Sequence, residues 1–261
     1  MNVNLTNKNA LVCGSSKGLG KAAAIELAKL GANVTLVARN VDRMAEVMKE
    51  LSKIGKQDHD FLVADFSDSQ DLRKKVRALL ATKPIHILVN NTGGPKGGAI
   101  INAKEEEFLQ ALHNHLICNH LLAQLISPVM KKEGYGRIIN IISTSVRQPI
   151  LGLGVSNTTR GAVASWSKTL SHELAPFGIT VNNILPGTTS TERLEELLTS
   201  KMKSGDMTRQ EVEELMLAEI PMQRFAKAEE IGSVIAFVAS PAASYITGAN
   251  IPVDGGKIKS L

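Results

Sequence analysis

The chain carries residues able to do chemistry in two places. The segment CGSSKGLG, residues 13–20, spaces Gly14, Gly18 and Gly20 around Ser16, Lys17 and Leu19. That spacing lets a backbone turn tightly and approach a pyrophosphate, while the N-terminus of a following helix supplies N–H groups and the positive end of its dipole. A glycine triplet alone is a weak sign. Set between a strand and a helix, it becomes a strong one. The second place is the stretch VSNTTRGAV, residues 155–163, with Ser156 and, four residues later, Arg160. A serine hydroxyl can donate to and accept from a carbonyl. A guanidinium can hold a ribose hydroxyl, a carboxylate or an oxyanion.

The end of the second apolar run chooses between dinucleotides. In this fold type a carboxylate there holds both ribose hydroxyls and repels a 2′-phosphate. Here the run reads LVARN, with Ala38 and Arg39. No acid repels the phosphate, and the Arg39 guanidinium matches it bidentately. Lys17, inside the glycine loop, can reach the same group. Two cations and a missing acid predict NADP(H). Asp65, ahead of Phe66, can accept from the adenine amino group or can cap a helix.

These residues need elements to position them. Strands are expected over 9–14, 33–38, 60–65, 85–91, 136–143, 179–187 and 250–256. Helices are expected over 18–30, 41–54, 69–81, about 104–133, 154–175 and 228–239. Strand–helix alternation with apolar runs lacking a polar face predicts an α/β fold. The expected architecture is a doubly wound parallel sheet, Rossmann-type, of about seven strands in three layers. Residues 188–227 interrupt it and carry Leu194, Leu197, Leu198, Val212, Leu215 and Met216 at helical spacing. They read as a pair of lid helices on a single domain spanning 1–261.

Composition narrows the function classes. A formal charge of +5 is dispersed among acids, as in KMKSGDMTRQEVEEL, so nucleic acid is not an expected partner. No apolar run reaches the ~18 residues that span a membrane. The N-terminal segment lacks a basic stretch leading into an apolar one, and Cys13 and Cys118 lack metal-ligand spacing. These features predict free thiols, no metal site and a cytoplasmic protein.

The motifs together resemble the short-chain dehydrogenase/reductase family over essentially the whole chain. CGSSKGLG resembles its glycine motif. LVNNTGG, with Asn91, Thr92 and Gly93, resembles its Asn-Asn-Ala-Gly motif. GYGRIINIIS is similar to the strand delivering the family's active-site serine, which falls on Ser143. LPGTTST is similar to the loop clasping the nicotinamide amide, through Ile184, Pro186, Gly187, Thr189 and Thr191. The segment from Arg224 to Gly256 is most similar to 3-oxoacyl-acyl-carrier-protein reductases. The resemblance implies a nicotinamide cofactor, a small carbonyl or alcohol substrate and a homotetramer or dimer. It also implies a serine–tyrosine–lysine site supported by an asparagine. In this chain the tyrosine position is Ser156 and the lysine position is Arg160. The asparagine position falls on His115, and a one-residue slip would place Asn114 there instead.

A serine is far less acidic than a phenol of pKa ~10, and a guanidinium does not relay protons. Losing a positioned acid costs about 10²–10⁴-fold, while holding the reactants together can supply up to ~7–11 kcal/mol. The expectation is therefore an NADP(H)-dependent oxidoreductase with an atypical proton-donor site. His115 is the candidate replacement acid, since imidazole titrates near neutrality. The alternative is a catalytically silent NADP(H)-binding protein, a sensor or an assembly partner.

Overall fold

The structure, a computed structural model, describes residues 1–260. Seven strands form one parallel sheet: β1 (Asn9–Cys13), β2 (Asn33–Ala38), β3 (Asp60–Val63), β4 (Ile87–Asn90), β5 (Gly136–Ile141), β6 (Ile179–Pro186) and β7 (Asn250–Val253). Their spatial order is β3-β2-β1-β4-β5-β6-β7. The order reverses between β1 and β4, and a crevice opens beyond the strands' carboxyl ends at such a switch point. The helices are α1 (Gly18–Lys29), α2 (Val41–Leu51), α3 (Ser69–Leu80), α4 (Glu105–Leu112), α5 (Cys118–Glu133), α6 (Gly154–Leu174), α7 (Glu192–Gly205), α8 (Arg209–Ala218) and α9 (Ala228–Ala239).

Two apolar clusters cover the sheet. One joins Val12, Leu27, Leu36 and Ile139 to Ile231 and Ile235 of α9. The other joins Leu11, Leu88 and Ile138 to Leu72 of α3 and to Leu122 and Ile126 of α5. Cys13 and Cys118, distant in sequence, share this second cluster as free, buried thiols. The expectation of strands covered on both faces holds in the centre and fails at the edge. On β3, Phe61 and Val63 are each 37% exposed, because an edge strand has a neighbour on one side only.

A polar ladder crosses the sheet from β4 to β7. Asn90 Nδ2 donates to Asn140 Oδ1 at 2.8 Å, Asn140 Nδ2 to Asn183 Oδ1 at 2.9 Å, and Asn183 Nδ2 to Asn250 Oδ1 at 2.7 Å. Each donor meets the residue paired with it in the strand register. Buried amides must be satisfied, so the ladder penalises any slip between β4 and β7. At β4 and β5 it lies at the carboxyl ends of the strands, just before the cleft residues Asn91 and Ser143.

Candidate functional site

A cleft of about 800 Å³ opens at the carboxyl ends of the strands. The glycine loop forms one wall. Gly14 has φ +58, and a Cβ on it would stand 2.7 Å from the Asn91 carbonyl oxygen. A Cβ on Gly20 would stand 2.2 Å from the Gly14 carbonyl oxygen, so this position packs α1 against the loop rather than lining the cleft. Asn91 Nδ2 donates to the Gly14 carbonyl at 3.2 Å and ties the end of β4 to the loop. Ser16, Lys17, Gly18 and Leu19 line the cleft.

Space and donors both fit a dinucleotide. No side chain caps the N-terminus of α1, and no acid sits in its first turn. The first N–H groups there are therefore available to an anion. A Cβ on Gly93 would meet no atom within 4 Å, so the backbone is open to a ligand. Arg39 lines the adjoining end and pairs with Asp65 at 3.6 Å. The Ser67 backbone N–H, which donates to Asp65 at 2.9 Å, is the main reason its carboxyl lies below the usual range. Phe66 lines the cleft beside it.

The structure brings further charged residues here that sequence reading did not single out. Arg43, on the first turn of α2, lies one turn after Arg39. It meets Glu192 Oε1 at 3.0 Å, and Lys17 bonds the other oxygen of the same carboxylate. Arg193 follows Glu192 in the chain, and both line the cleft. The only local signal for Arg43 is its spacing from Arg39. Glu192 and Arg193 gave none, because the partners that hold them at the cleft, Lys17 and Arg43 for Glu192 and the Pro95 carbonyl for Arg193, are more than ninety positions away.

At the other end, Ser143, Ser156 and Arg160 line the same cleft. Ser143 follows β5, and its Oγ accepts from the Ser145 N–H at 3.0 Å. Ser156 and Arg160 lie one turn apart on α6, on one face. Arg160 is 8% exposed, and its Nη1 donates to the Ile141 carbonyl at 3.0 Å. Burial, then the nearby Arg193 charge, push its pKa down to about 10, so it stays charged at neutral pH. Pro186, Gly187, Thr189 and Thr191 form the facing edge, whereas the Ile184 side chain lies wholly in the core.

The helices expected over about 104–133 are α4 and α5, joined by a π turn, His113–Ile117. The wider turn admits an extra residue and turns the Asn114 and His115 side chains to different surroundings. Asn114 lines the cleft, its Oδ1 accepting from Gln110 Nε2 at 2.9 Å. His115 is buried behind it, with Nδ1 2.5 Å from the Thr92 hydroxyl. Burial and the Arg160 charge push its pKa down to about 2. The expectation that His115 supplies an acid titrating near neutrality is corrected accordingly: it is a neutral imidazole in this setting.

A doubly wound sheet with an anion-binding loop at its switch point defines a dinucleotide-binding α/β protein. A family model described as Enoyl-(Acyl carrier protein) reductase matches residues 14–257, and the chain belongs to the short-chain dehydrogenase/reductase family. It is 32% identical over 260 residues to the NADPH-dependent reductase BacG of Bacillus subtilis, covering 98% of this chain and 100% of that one. It is 31% identical over 260 residues to the 3-oxoacyl-[acyl-carrier-protein] reductase FabG of Pseudomonas aeruginosa, covering 99% and 100%. Among solved structures, L-sorbose reductase from Gluconobacter frateurii, complexed with NADPH and L-sorbose, superposes with a TM-score of 0.93. It has 31% identity and full coverage of both chains.

Proposed function

We propose that this protein is an NADP(H)-dependent oxidoreductase that reduces a carbonyl or oxidises an alcohol on a small or acyl-type substrate, with an atypical proton-donor site. One observation carries the reading. The glycine loop, the Asn91–Gly93 turn, Ser143, Ser156, Arg160 and the Pro186–Thr191 edge line a single continuous cleft. NADPH, when bound, supplies a hydride. Gly14, Ser16, Lys17, Gly18 and Leu19 hold its pyrophosphate side, with Gly20 setting the loop. Lys17, Arg39 and Arg43 hold the 2′-phosphate, and Asp65 and Phe66 flank the adenine. Thr92, Pro186, Gly187, Thr189 and Thr191 border the nicotinamide side. Ser143 and Ser156 hold the carbonyl oxygen and the water that gives it a proton. Arg160 supplies fixed positive charge to that end of the cleft. Neutral His115 orients Thr92. The whole chain acts as one domain, with α7 and α8 as its lid, and assembles as a dimer or tetramer.

A second reading, a silent NADP(H)-binding protein, is favoured by Ser156 and Arg160 standing where a phenol and an ammonium would serve proton transfer. The two are separated by measuring NADPH binding by fluorescence, then NADPH consumption with ketones, aldehydes and 3-oxoacyl thioesters. Tight binding without turnover favours the silent reading. The double change Ser156→Tyr with Arg160→Lys is expected to raise turnover of an activated ketone about tenfold or more, within the ~10²–10⁴ that acid catalysis supplies. A double variant that binds NADPH and stays inert would show that more than the proton donor is missing.

A further inference from the structure

Arg160 is a buried cation with unused donors. Its Nε is wholly buried and has no partner, and no carboxylate among the described residues pairs with it. A second guanidinium stands beside it. The Nη2 atoms of Arg160 and Arg193 lie 3.9 and 4.0 Å from the point where a Cβ on Gly94 would stand. Arg193 is anchored by the Pro95 carbonyl at 3.2 Å and by Glu196 at 2.8 Å. Glu196 thus offsets one of the two charges and leaves the buried one uncompensated.

Burying an unpaired charge is costly, and a like charge beside it adds repulsion. Such an arrangement is stable where a ligand brings the counter-ion, and unbalanced charge in a cleft points to one. Ribose hydroxyls or a neutral carbonyl could bond one guanidinium but would neutralise nothing. The phosphates of a dinucleotide have their own donors at the glycine loop and at Lys17, Arg39 and Arg43. A planar carboxylate matches the guanidinium fork in both shape and charge. Ile150, Leu153, Leu194 and Leu197 line the same cleft and offer an apolar wall.

Resting on the reductase reading above, we propose that the substrate is a small oxo acid whose carboxylate is held between Arg160 and Arg193. Its carbonyl faces Ser143 and Ser156, and its short aliphatic body lies on the Ile and Leu wall. In the reaction the carbonyl carbon gains a hydride, the C=O π bond opens, and its oxygen takes one proton from water. The products are the hydroxy acid, NADP⁺ and the hydroxide left by that water, which solvent neutralises.

The test uses the full-length protein with NADPH and a series of aliphatic oxo acids of four to nine carbons, each paired with its methyl ester. 4-Methyl-2-oxopentanoate and its ester are one such pair. Two readouts are taken: kcat/KM for NADPH oxidation, and the dissociation constant of each compound from the NADPH complex by calorimetry. At least one acid is expected to exceed its ester by about tenfold or more in both, the value of one charge-assisted contact. Arg193→Met, at the cleft edge, is expected to reduce that ratio to about threefold or less, with retained NADPH binding reporting the fold. Turnover of acids and esters alike would overturn this proposal and leave the reductase reading standing. Acid-selective binding without any turnover would support the carboxylate site and sink the reductase reading. No acid preferred over its ester in either readout would overturn the proposal outright.

Discussion

At the scale of single residues, the cleft is controlled by which charges are buried and which are paired. His115 is 3% exposed and its pKa falls from 6.5 to about 2 on folding. The unfolded chain then binds a proton that the native state refuses, so stability falls as pH drops below about 6.5. At pH 5 the loss attributable to this group is about 1–2 kcal/mol. His115→Asn is expected to remove that part of the acid-side loss while His59 and His86, whose pKa values burial also lowers, retain theirs. Urea unfolding at pH 7 and pH 5 measures it, and an unchanged difference between the two pH values would refute a neutral His115. Cofactor choice is likewise settled by side chains. A charge-assisted contact to the 2′-phosphate contributes about 1.5–3 kcal/mol, roughly ten- to a hundredfold in favour of NADPH over NADH. Arg43→Ala is expected to weaken NADPH binding about tenfold and to leave NADH binding nearly unchanged. Equal losses for both cofactors would place Arg43 elsewhere than the 2′-phosphate.

At the scale of elements, the first residue of α7 is bound to the opposite wall. Glu192 joins Lys17 of the loop and Arg43 of α2, and their hydrogen bonds hold its carboxyl below the usual range. That carboxylate engages two of the cations assigned here to the 2′-phosphate. The contact is solvent-exposed, so its strength is modest and salt-sensitive. Glu192→Gln is expected to tighten NADPH binding about two- to fivefold at low salt and to speed hydrogen exchange across 188–227. In the unmodified protein the same segment is expected to exchange fastest without cofactor and to slow when NADPH binds. Weaker NADPH binding in Glu192→Gln would mean that Glu192 organises the site instead of competing for it.

At the scale of the whole molecule, the proposed assembly would cover apolar side chains that the single chain leaves exposed. Ile101 is 88% exposed, Leu109 on α4 is 58% exposed and Ile117 in the π turn is 49% exposed. Large exposed apolar side chains are candidates for burial against another copy of the chain. A dimer or tetramer is expected in sedimentation velocity at micromolar concentration, and Leu109→Glu with Ile117→Glu is expected to shift it to smaller species. A monomeric unmodified protein would remove the assembly from this account. No helix among the described residues is long and apolar enough to cross a membrane.

The amino-acid sequence by itself determined the alternation of strands and helices, the glycine loop, the seven-stranded parallel sheet and the helical pair within 188–227. Each of these is encoded over short range, by periodicity, turn residues and capping, and such signals survive without knowledge of distant partners. The interactions that decide the chemistry are long-range. Lys17 meets Glu192 across 175 positions, and Thr92 meets His115 across 23. The choice between Asn114 and His115 was open in the sequence because a π turn adds a residue to the helix, and no local pattern announces where it falls. That β3 lies at an edge, with Phe61 and Val63 partly bare, was equally hidden: an apolar run reads the same whether one neighbour covers it or two. Arg160 was legible as a cation at a reactive position. Its burial beside Arg193, and so its need for an anion, follows only when packing takes the guanidinium out of water.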